Sequence, residues 1–378
     1  MDREIKCFTV IIFWVIVAED HLNVKKVACF MLCPVFLPHL GCDRRCIYCD
    51  QTVITGTKTW DIEKVIRASL PKTSHKYEVG LFGGNIFGIS PSLLKKIFSI
   101  FDSYRENISG FRISTKPVPI KEEIIGILKE NNVKIIELGI PVFNDSMLFK
   151  LNRGYTVADF YNAYSLLKKE GFDVAIQVMV GLPDETREEV GNTLRHIKGL
   201  KPSYIRIYPL VILKDTPLYY AFEKGEFITC DFNEVVLRAL YIYLNALSKN
   251  IPVVKMGLTD NEIIKDKIAG GFYHPAFGDM VKSEGFYLAL TGLFSKYAIK
   301  GKVRVKINKR DESHIIGFKR KNMERWKDMG IYVEREIKEL TKGAFIVSFQ
   351  EKDLNGDILD AIPNLSEAGF EKKDVNFA

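Results

Sequence analysis

Between Lys26 and Leu210 the chain repeats one pattern six times: a short β-branched run followed by an amphipathic or polar connection. The runs are Lys26–Phe36, Tyr77–Phe82, Gly110–Ser114, Lys134–Gly139, Asp173–Met179 and Tyr204–Leu210. Helical spacing is read over Asp61–Leu70, Ser90–Asp102, Lys121–Glu130, Val157–Glu170 and Thr186–Lys198. Leu93, Leu94, Ile97 and Phe101 recur at the interval that gathers apolar side chains on one helical face. Asp61 stands where a helix N-cap belongs. Strand–helix units in succession argue an α/β fold with a parallel sheet. If such a sheet closes on itself, its site lies at the C-terminal ends of the strands.

Pro38 and Gly41 break the first strand and release a loop, Gly41-Cys42-Asp43-Arg44-Arg45-Cys46-Ile47-Tyr48-Cys49-Asp50-Gln51. It carries three cysteines at a C-x3-C-x2-C spacing, so one loop can turn all three thiolates toward one centre. Three thiolates hold three corners of a [4Fe–4S] cube, which normally takes four, and leave one iron without a protein ligand. A structural zinc site wants four ligands, usually in two separated pairs. That alternative needs a distant fourth ligand such as His39 or His75. Cys29 and Cys33 share one face of the first strand and read as buried core, and Cys230 stands alone.

Cys42, Cys46 and Cys49, with the aromatic Tyr48 before the last, resemble the signature of the radical SAM superfamily, whose enzymes cleave S-adenosylmethionine (SAM) reductively. The resemblance implies a partial (β/α)6 barrel, TIM-like but open at one side for a large substrate. It also implies an electron donor for the cluster. It assigns cofactor contacts to Gly83, Gly84 and Asn85 after the second strand, and to Ser114, Thr115 and Lys116 after the third. Arg153 is set near the SAM carboxylate, and Gln177, Val178 and Gly181 in the segment under the adenine. Pro141 departs from the polar residue usual there, so no contact is carried over to it. Pro38-His39-x-Gly41-Cys42, Glu137-Leu138-Gly139 and Arg206-Ile207-Tyr208-Pro209 narrow the resemblance to the elongator catalytic-subunit branch, which modifies wobble uridine in tRNA. No acetyltransferase domain follows residue 300 in this sequence.

Charge is uneven. Six of the seven net positive charges fall in residues 301–350, with 13 Lys/Arg against 7 Asp/Glu, which points to an anionic partner. Strands Val303–Ile307, Ile331–Ile337 and Ala344–Phe349 and two short helices within Ser313–Met329 resemble a minimal KH domain. KH domains clamp nucleotides with a G-x-x-G loop. The matching turn is Gly317-Phe318-Lys319-Arg320, followed by Lys321, with Arg320 in place of the second glycine. Gly317, Lys319, Arg320 and Lys321 are therefore the expected RNA contacts.

The organisation expected is an apolar extension over 1–23, a barrel over 24–225, a helical region over 226–300 closing it, the basic module over 301–350, and a polar tail over 351–378. The apolar run Cys7–Ala18 is shorter than the about 20 residues a membrane helix needs. Sparse, clustered cysteines fit metal binding in a reducing cytoplasm. The function expected is a SAM-cleaving radical enzyme acting on RNA, with tRNA the foremost substrate. The alternatives are a coproporphyrinogen-oxidase-like or haem-handling protein, and a KH-like RNA binder with a structural metal.

Overall fold

The computed structural model describes residues 31–57, 61–260 and 262–370. The apolar run Cys7–Ala18, Cys29 and the start of the first strand lie outside the described residues. Six strands follow the expected order: β1 (Met31–Phe36), β2 (Tyr77–Phe82), β3 (Ile108–Thr115), β4 (Val133–Gly139), β5 (Asp173–Val180) and β6 (Ile205–Pro209). Two short strands, β7 (Val211–Leu213) and β8 (Val253–Met256), come next, and β8 joins the main sheet. The result is a seven-stranded, all-parallel sheet in the order β1-β2-β3-β4-β5-β6-β8. Among the described residues β1 and β8 are its two edges, and no pairing between them closes the barrel.

The connecting helices start where capping residues stand. α1 (Gln51–Thr55) is capped by Asp50, α2 (Ile62–Ser69) by Asp61, and α3 (Pro91–Ser99) by Ser90, each side chain accepting a backbone N–H of the first turn. α4 (Glu122–Glu130), α5 (Asp145–Lys150), α6 (Val157–Lys169) and α7 (Arg187–Leu200) complete the outer layer. α6 carries a full capping box between Thr156 and Asp159. Strand interiors such as Val79, Leu81, Ile113, Ile136, Val174 and Val178 are buried, as a sheet covered by helices requires.

After β7 the chain forms α8 (Pro217–Glu223) and α9 (Phe232–Leu247), which leads back to β8. α10 (Glu262–Lys267), β9 (Ile268–Gly271) and the long α11 (Phe277–Lys296) follow. β9 pairs antiparallel with β7, so Gly270 and Gly271 end a strand and only the residues after them form a loop.

The basic module contains β10 (Gly301–Ile307), α12 (Glu312–Ile316), α13 (Lys321–Asp328), β11 (Ile331–Ile337) and β12 (Ala344–Phe349). A fourth strand, β13 (Lys352–Asp357), adds to β12, giving the sheet order β11-β10-β12-β13. This corrects the polar tail expected from residue 351. After β13, the turn α14 (Ile362–Leu365) and the residues around it bury Ile358, Ala361, Leu365 and Phe370, with the Phe370 ring stacked on Tyr241 of α9 at 4.4 Å. The module is anchored on α11. Trp326 is fully buried and donates to Thr291 Oγ1 at 2.9 Å, and Arg325 makes a two-pronged ion pair with Glu284.

Candidate metal-cluster and cofactor site

The cysteine loop leaves β1 at the C-terminal end of the sheet, where a barrel of this kind keeps its site. Its course is set by backbone bonds to the end of β2: Leu37 N–H to Phe82 O and His39 N–H to Gly83 O, both 2.8 Å. Gly41 adopts φ +74°, and a Cβ there would lie 2.2 Å from the Asn85 carbonyl oxygen, so only glycine lets the loop press this close. Ile47 N–H bonds Leu151 O at 3.2 Å, and Leu218 N–H bonds Ile47 O at 2.9 Å. The loop is thus held from β2, from the segment after α5, and from α8.

The three cysteines lie within electrostatic reach of one another. Burial, reinforced by the neighbouring Cys46, pushes the Cys49 thiol up to about 12, and burial and Cys46 also raise Cys42. Donors surround them. Arg153 Nη1 donates to Cys46 Sγ at 3.1 Å, and Gln51 Nε2 to Cys49 Sγ at 3.3 Å. Burial works against the Arg153 charge, but Cys46, Tyr155 and Tyr48 outweigh it and hold the guanidinium protonated. Three thiols on one loop, with a fixed cation and an amide aimed at their sulfurs, suit thiolate ligands of an iron–sulfur cluster. The chemistry of the donor set fits the group, while among the described residues no three His, Cys, Asp or Glu side chains converge closely enough to hold a metal ion, so the loop would have to draw its sulfurs together on binding. His39 is engaged otherwise. Its Nε2 accepts the Gln51 N–H at 3.0 Å, bracing the entry of the loop against its exit. His75 is exposed between α2 and β2.

A cavity of about 280 Å³ opens beside Cys49, at the low end of small-molecule sites. Of the residues expected to bind the cofactor, Tyr48, Gly83, Ser114, Arg153 and Gln177 line it. The others stand behind its wall and have structural work. Gly84 packs against the Leu40 carbonyl. Asn85 is a latch: its Nδ2 donates to Gly41 O at 3.2 Å, and its Oδ1 accepts the Thr115 hydroxyl at 2.8 Å. Lys116 turns away from the cavity and donates to Arg44 O at 3.1 Å and Asp43 at 3.4 Å, bracing the cysteine loop from outside. Val178 points into the helical layer, fully buried, and Gly181 donates its N–H to Glu185 at 2.7 Å in a turn below. Even Arg153 is fully occupied, by Cys46, Tyr48, Tyr155 and the Gly139 carbonyl, so it serves the cysteine loop directly.

One feature of the barrel interior was invisible to sequence spacing. Glu137, completely buried, accepts from Tyr204 OH (2.5 Å) and Gln177 Nε2 (2.5 Å) and pairs with Arg206 at 2.8 Å. Arg112 lies 4.0 Å from the same carboxylate and is ion-paired to Glu78. Barrels of this kind usually fill their interior with branched apolar layers. Here an ionic plug contributed by β2 to β6 forms the floor of the cavity.

The other wall is built differently. Val53, Val211, Leu213 and Ile264 form a small core of their own, separate from the main one, joining α1, β7, α10 and the β7–β9 pair over the cavity mouth. The basic turn lies near the same rim. α9 leads back to the parallel strand β8, so its first turn is at the C-terminal face. Lys321 Nζ donates to Asn233 there at 3.0 Å, and Phe318 packs edge-on against His274 at 4.9 Å. Lys319 and Arg320 both hold left-handed backbone, φ +51° and +65°. The turn thus keeps at Arg320 the backbone region that glycine favours, at a cost of roughly 1 kcal/mol per residue.

An open parallel barrel with a three-cysteine loop above its first strand is the arrangement of the radical SAM class. Comparison with known proteins agrees. The Radical SAM superfamily matches residues 36–197 and the Radical SAM C-terminal domain residues 202–285. The chain belongs to the radical SAM superfamily. It is 31% identical over 206 residues to the uncharacterized protein MJ0486 of Methanocaldococcus jannaschii, covering 53% of this chain and 63% of that one. It is 24% identical over 196 residues to the heme chaperone HemW of Bacillus subtilis, covering 49% and 52%. It is 27% identical over 143 residues to a tRNA uridine(34) acetyltransferase of M. jannaschii, covering 37% and 26%. The chain therefore spans less than two thirds of each of these relatives. Among the described residues no helix is long and apolar enough to cross a membrane.

Proposed function

We propose that this chain is a radical SAM enzyme of the cytoplasm that acts on RNA, with tRNA as its substrate. The observation that supports the reading is the cysteine loop: three thiols above the open barrel, with Arg153 donating to Cys46, Gln51 donating to Cys49, and the cavity opening beside Cys49. Cys42, Cys46 and Cys49 would hold a [4Fe–4S] cluster, and when bound it would supply the one-electron reduction that cleaves SAM. The residues of the chain orient and shield. Arg153 fixes Cys46 against Gly139, Gln51 orients Cys49, and Asn85 and Lys116 keep the loop from opening. Tyr48, Gly83, Ser114 and Gln177 present the polar edge of the cavity, on which SAM would lie. Apolar Phe36, Phe82 and Met179 limit water around it.

The RNA reading is supported by the basic turn at the rim of the cavity and by similarity to an enzyme named for tRNA uridine(34). Phosphate contacts dominate nucleic-acid affinity, so Lys319, Arg320 and Lys321 are its first contacts. The test is anaerobic reconstitution with iron, sulfide, reductant and SAM. Formation of 5′-deoxyadenosine and methionine is expected, and absence of both overturns the reading. Mass spectrometry of tRNA nucleosides from cells with and without the protein identifies the product. Replacing Lys319, Arg320 and Lys321 by alanine is expected to weaken tRNA binding and flatten its salt dependence. A haem-handling role is the second reading, favoured by the similarity to a heme chaperone over about half of each chain. A stoichiometric haem complex without RNA affinity would select it.

A further inference from the structure

One side chain in the cavity wall has no freedom to turn over. Gln177 on β5 donates through Nε2 to Glu137 Oε2 at 2.5 Å and to Ser114 Oγ at 3.0 Å, which uses both amide hydrogens. An ion-paired carboxylate only accepts, so the group facing Glu137 must be the amide NH2, and the amide cannot flip. Glu137 is itself held. It pairs with Arg206 at 2.8 Å and accepts the Tyr204 hydroxyl at 2.5 Å. It is completely buried and does not line the cavity, so it acts there only through its neighbours.

Fixing the nitrogen also fixes the oxygen. Among the described residues no donor reaches Gln177 Oε1. The residue paired with Gln177 in the sheet register is Gly139 on β4, and both line the cavity. A Cβ added to Gly139 would lie 4.0 Å from Oε1, 3.4 Å from Arg153 Nη2 and 3.6 Å from the Thr115 carbonyl oxygen, all ordinary contacts. Its backbone is not left-handed either. Neither packing nor backbone therefore demands glycine at this position, and the missing side chain leaves the oxygen open to the cavity. Ser114, the register partner of Glu137 on β3, accepts from Gln177 and keeps its own hydroxyl hydrogen for a ligand. Neighbouring side chains thus offer one acceptor and one donor, each strengthened by the chain of bonds behind it.

We infer that Glu137 is a positioning residue that holds the Gln177 carbonyl oxygen open over Gly139, as the acceptor for an O–H or N–H group of the ligand. The inference deepens the proposed function and rests on it in taking SAM and RNA as the ligands of this cavity. Both carry ribose hydroxyls and base amino groups, so both supply the donor that the subsite requires. A ligand presenting only acceptors would set two oxygens face to face, and the pinned amide could not relieve this by flipping.

Variants of the full chain, reconstituted with its cluster, are compared with wild type by calorimetric binding of two probes: SAM without reductant, and a short oligoribonucleotide. Gly139→Ala leaves every bond of the network in place and fills the space before the oxygen. It is expected to weaken at least one probe by about tenfold, with the thermal midpoint unchanged. Gln177→Met removes the acceptor and is expected to weaken the same probe by a similar factor. Glu137→Gln can donate as well as accept, so it frees the Gln177 amide to turn, and it is expected to reproduce the loss from outside the lining. Added to Gln177→Met it is expected to cost nothing more, because it acts only through that amide. A purely structural role for Glu137 would make the two losses add, and that result overturns the assignment. Loss confined to SAM places the donor on the cofactor, and loss confined to the oligoribonucleotide places it on the substrate. Wild-type affinity for both probes in Gly139→Ala and Gln177→Met overturns the subsite, as does failure of wild type to bind either probe. Formation of 5′-deoxyadenosine by the reduced wild-type protein reports separately on the proposed function, so the two can fail independently.

Discussion

The two walls of the cavity are built on different principles. The wall from β1 to β4 is tied down by specific polar bonds: Asn85 to Gly41, Lys116 to Arg44, His39 to Gln51, Arg153 to Cys46. Its side chains also belong to the main core. The wall from β6 through β7, β9 and α10 closes over the mouth with a small core of four buried residues that is separate from the main one. A cluster and its cofactor need fixed geometry, whereas a substrate must enter and leave. Local opening draws on the part of a structure with the fewest buried apolar contacts. On the proposed function, the wall carrying the cysteine loop is the rigid one, and the wall with the separate small core is the part able to open.

The largest expected effect would break the first wall outright. Cys46→Ala removes a cluster ligand and the acceptor of Arg153, and should abolish iron incorporation and all 5′-deoxyadenosine formation, read by iron analysis and chromatography. Next comes the floor shared by both walls. Glu137→Ala leaves Arg206 and Arg112 without their common carboxylate, and breaking a buried pair costs about 3–5 kcal/mol. Denaturant unfolding measures it, and a loss below about 1 kcal/mol would mean the plug is wetter than its burial implies.

The comparison is sharpened by a matched pair of smaller changes. Ile264→Ala in the separate core should cost about 2 kcal/mol, at the low end for such truncations. Its hydrogen-exchange signature should be confined to α1, α10, β7 and β9, the elements that share this core. Asn85→Ala should cost about 1–2 kcal/mol through unmade hydrogen bonds and raise exchange in the cysteine loop instead. If both variants loosen the same segments, the walls are not independent.

The smallest effect concerns pH and lies at the joint between α11 and the basic module. Burial depresses the His314 imidazolium, but Asp279, 3.1 Å from its Nε2, and Asp311 more than compensate, and its pKa is raised. A group protonated more readily in the folded state adds stability that is complete below its unfolded value of about 6.5 and fades as pH rises through the folded one. Lys282, which also faces His314, opposes this. The melting temperature should fall slightly as pH climbs above about 6.5, and His314→Gln should flatten that slope.

Much of the barrel was legible because each of its signals is local. The strands are short β-branched runs, and the caps Asp61, Ser90, Thr156 and Thr186 stand directly before their helices. α1 and α5 were missed because five or six residues are too few to display a helical period. β13 was read as tail because an exposed edge strand, Lys352–Asp357, is polar, and only its pairing with β12 makes it a strand. Among the site residues, spacing set cations and hydroxyls at strand ends but could not say which way each side chain turns. Lys116 and Thr115 point back to brace the loop.

The sequence alone determined the sheet's parallel order and the position of three thiols in one loop after the first strand, because both follow from neighbours a few residues apart. Tertiary structure alone decided that Glu137 collects partners from β3, β5 and β6, that Arg153 meets Cys46 across 107 residues, and that Lys255 comes beside Arg206. Those contacts join residues far apart in the chain. Their geometry depends on strand register and on which face each side chain takes, and neither is written in the spacing of any one segment.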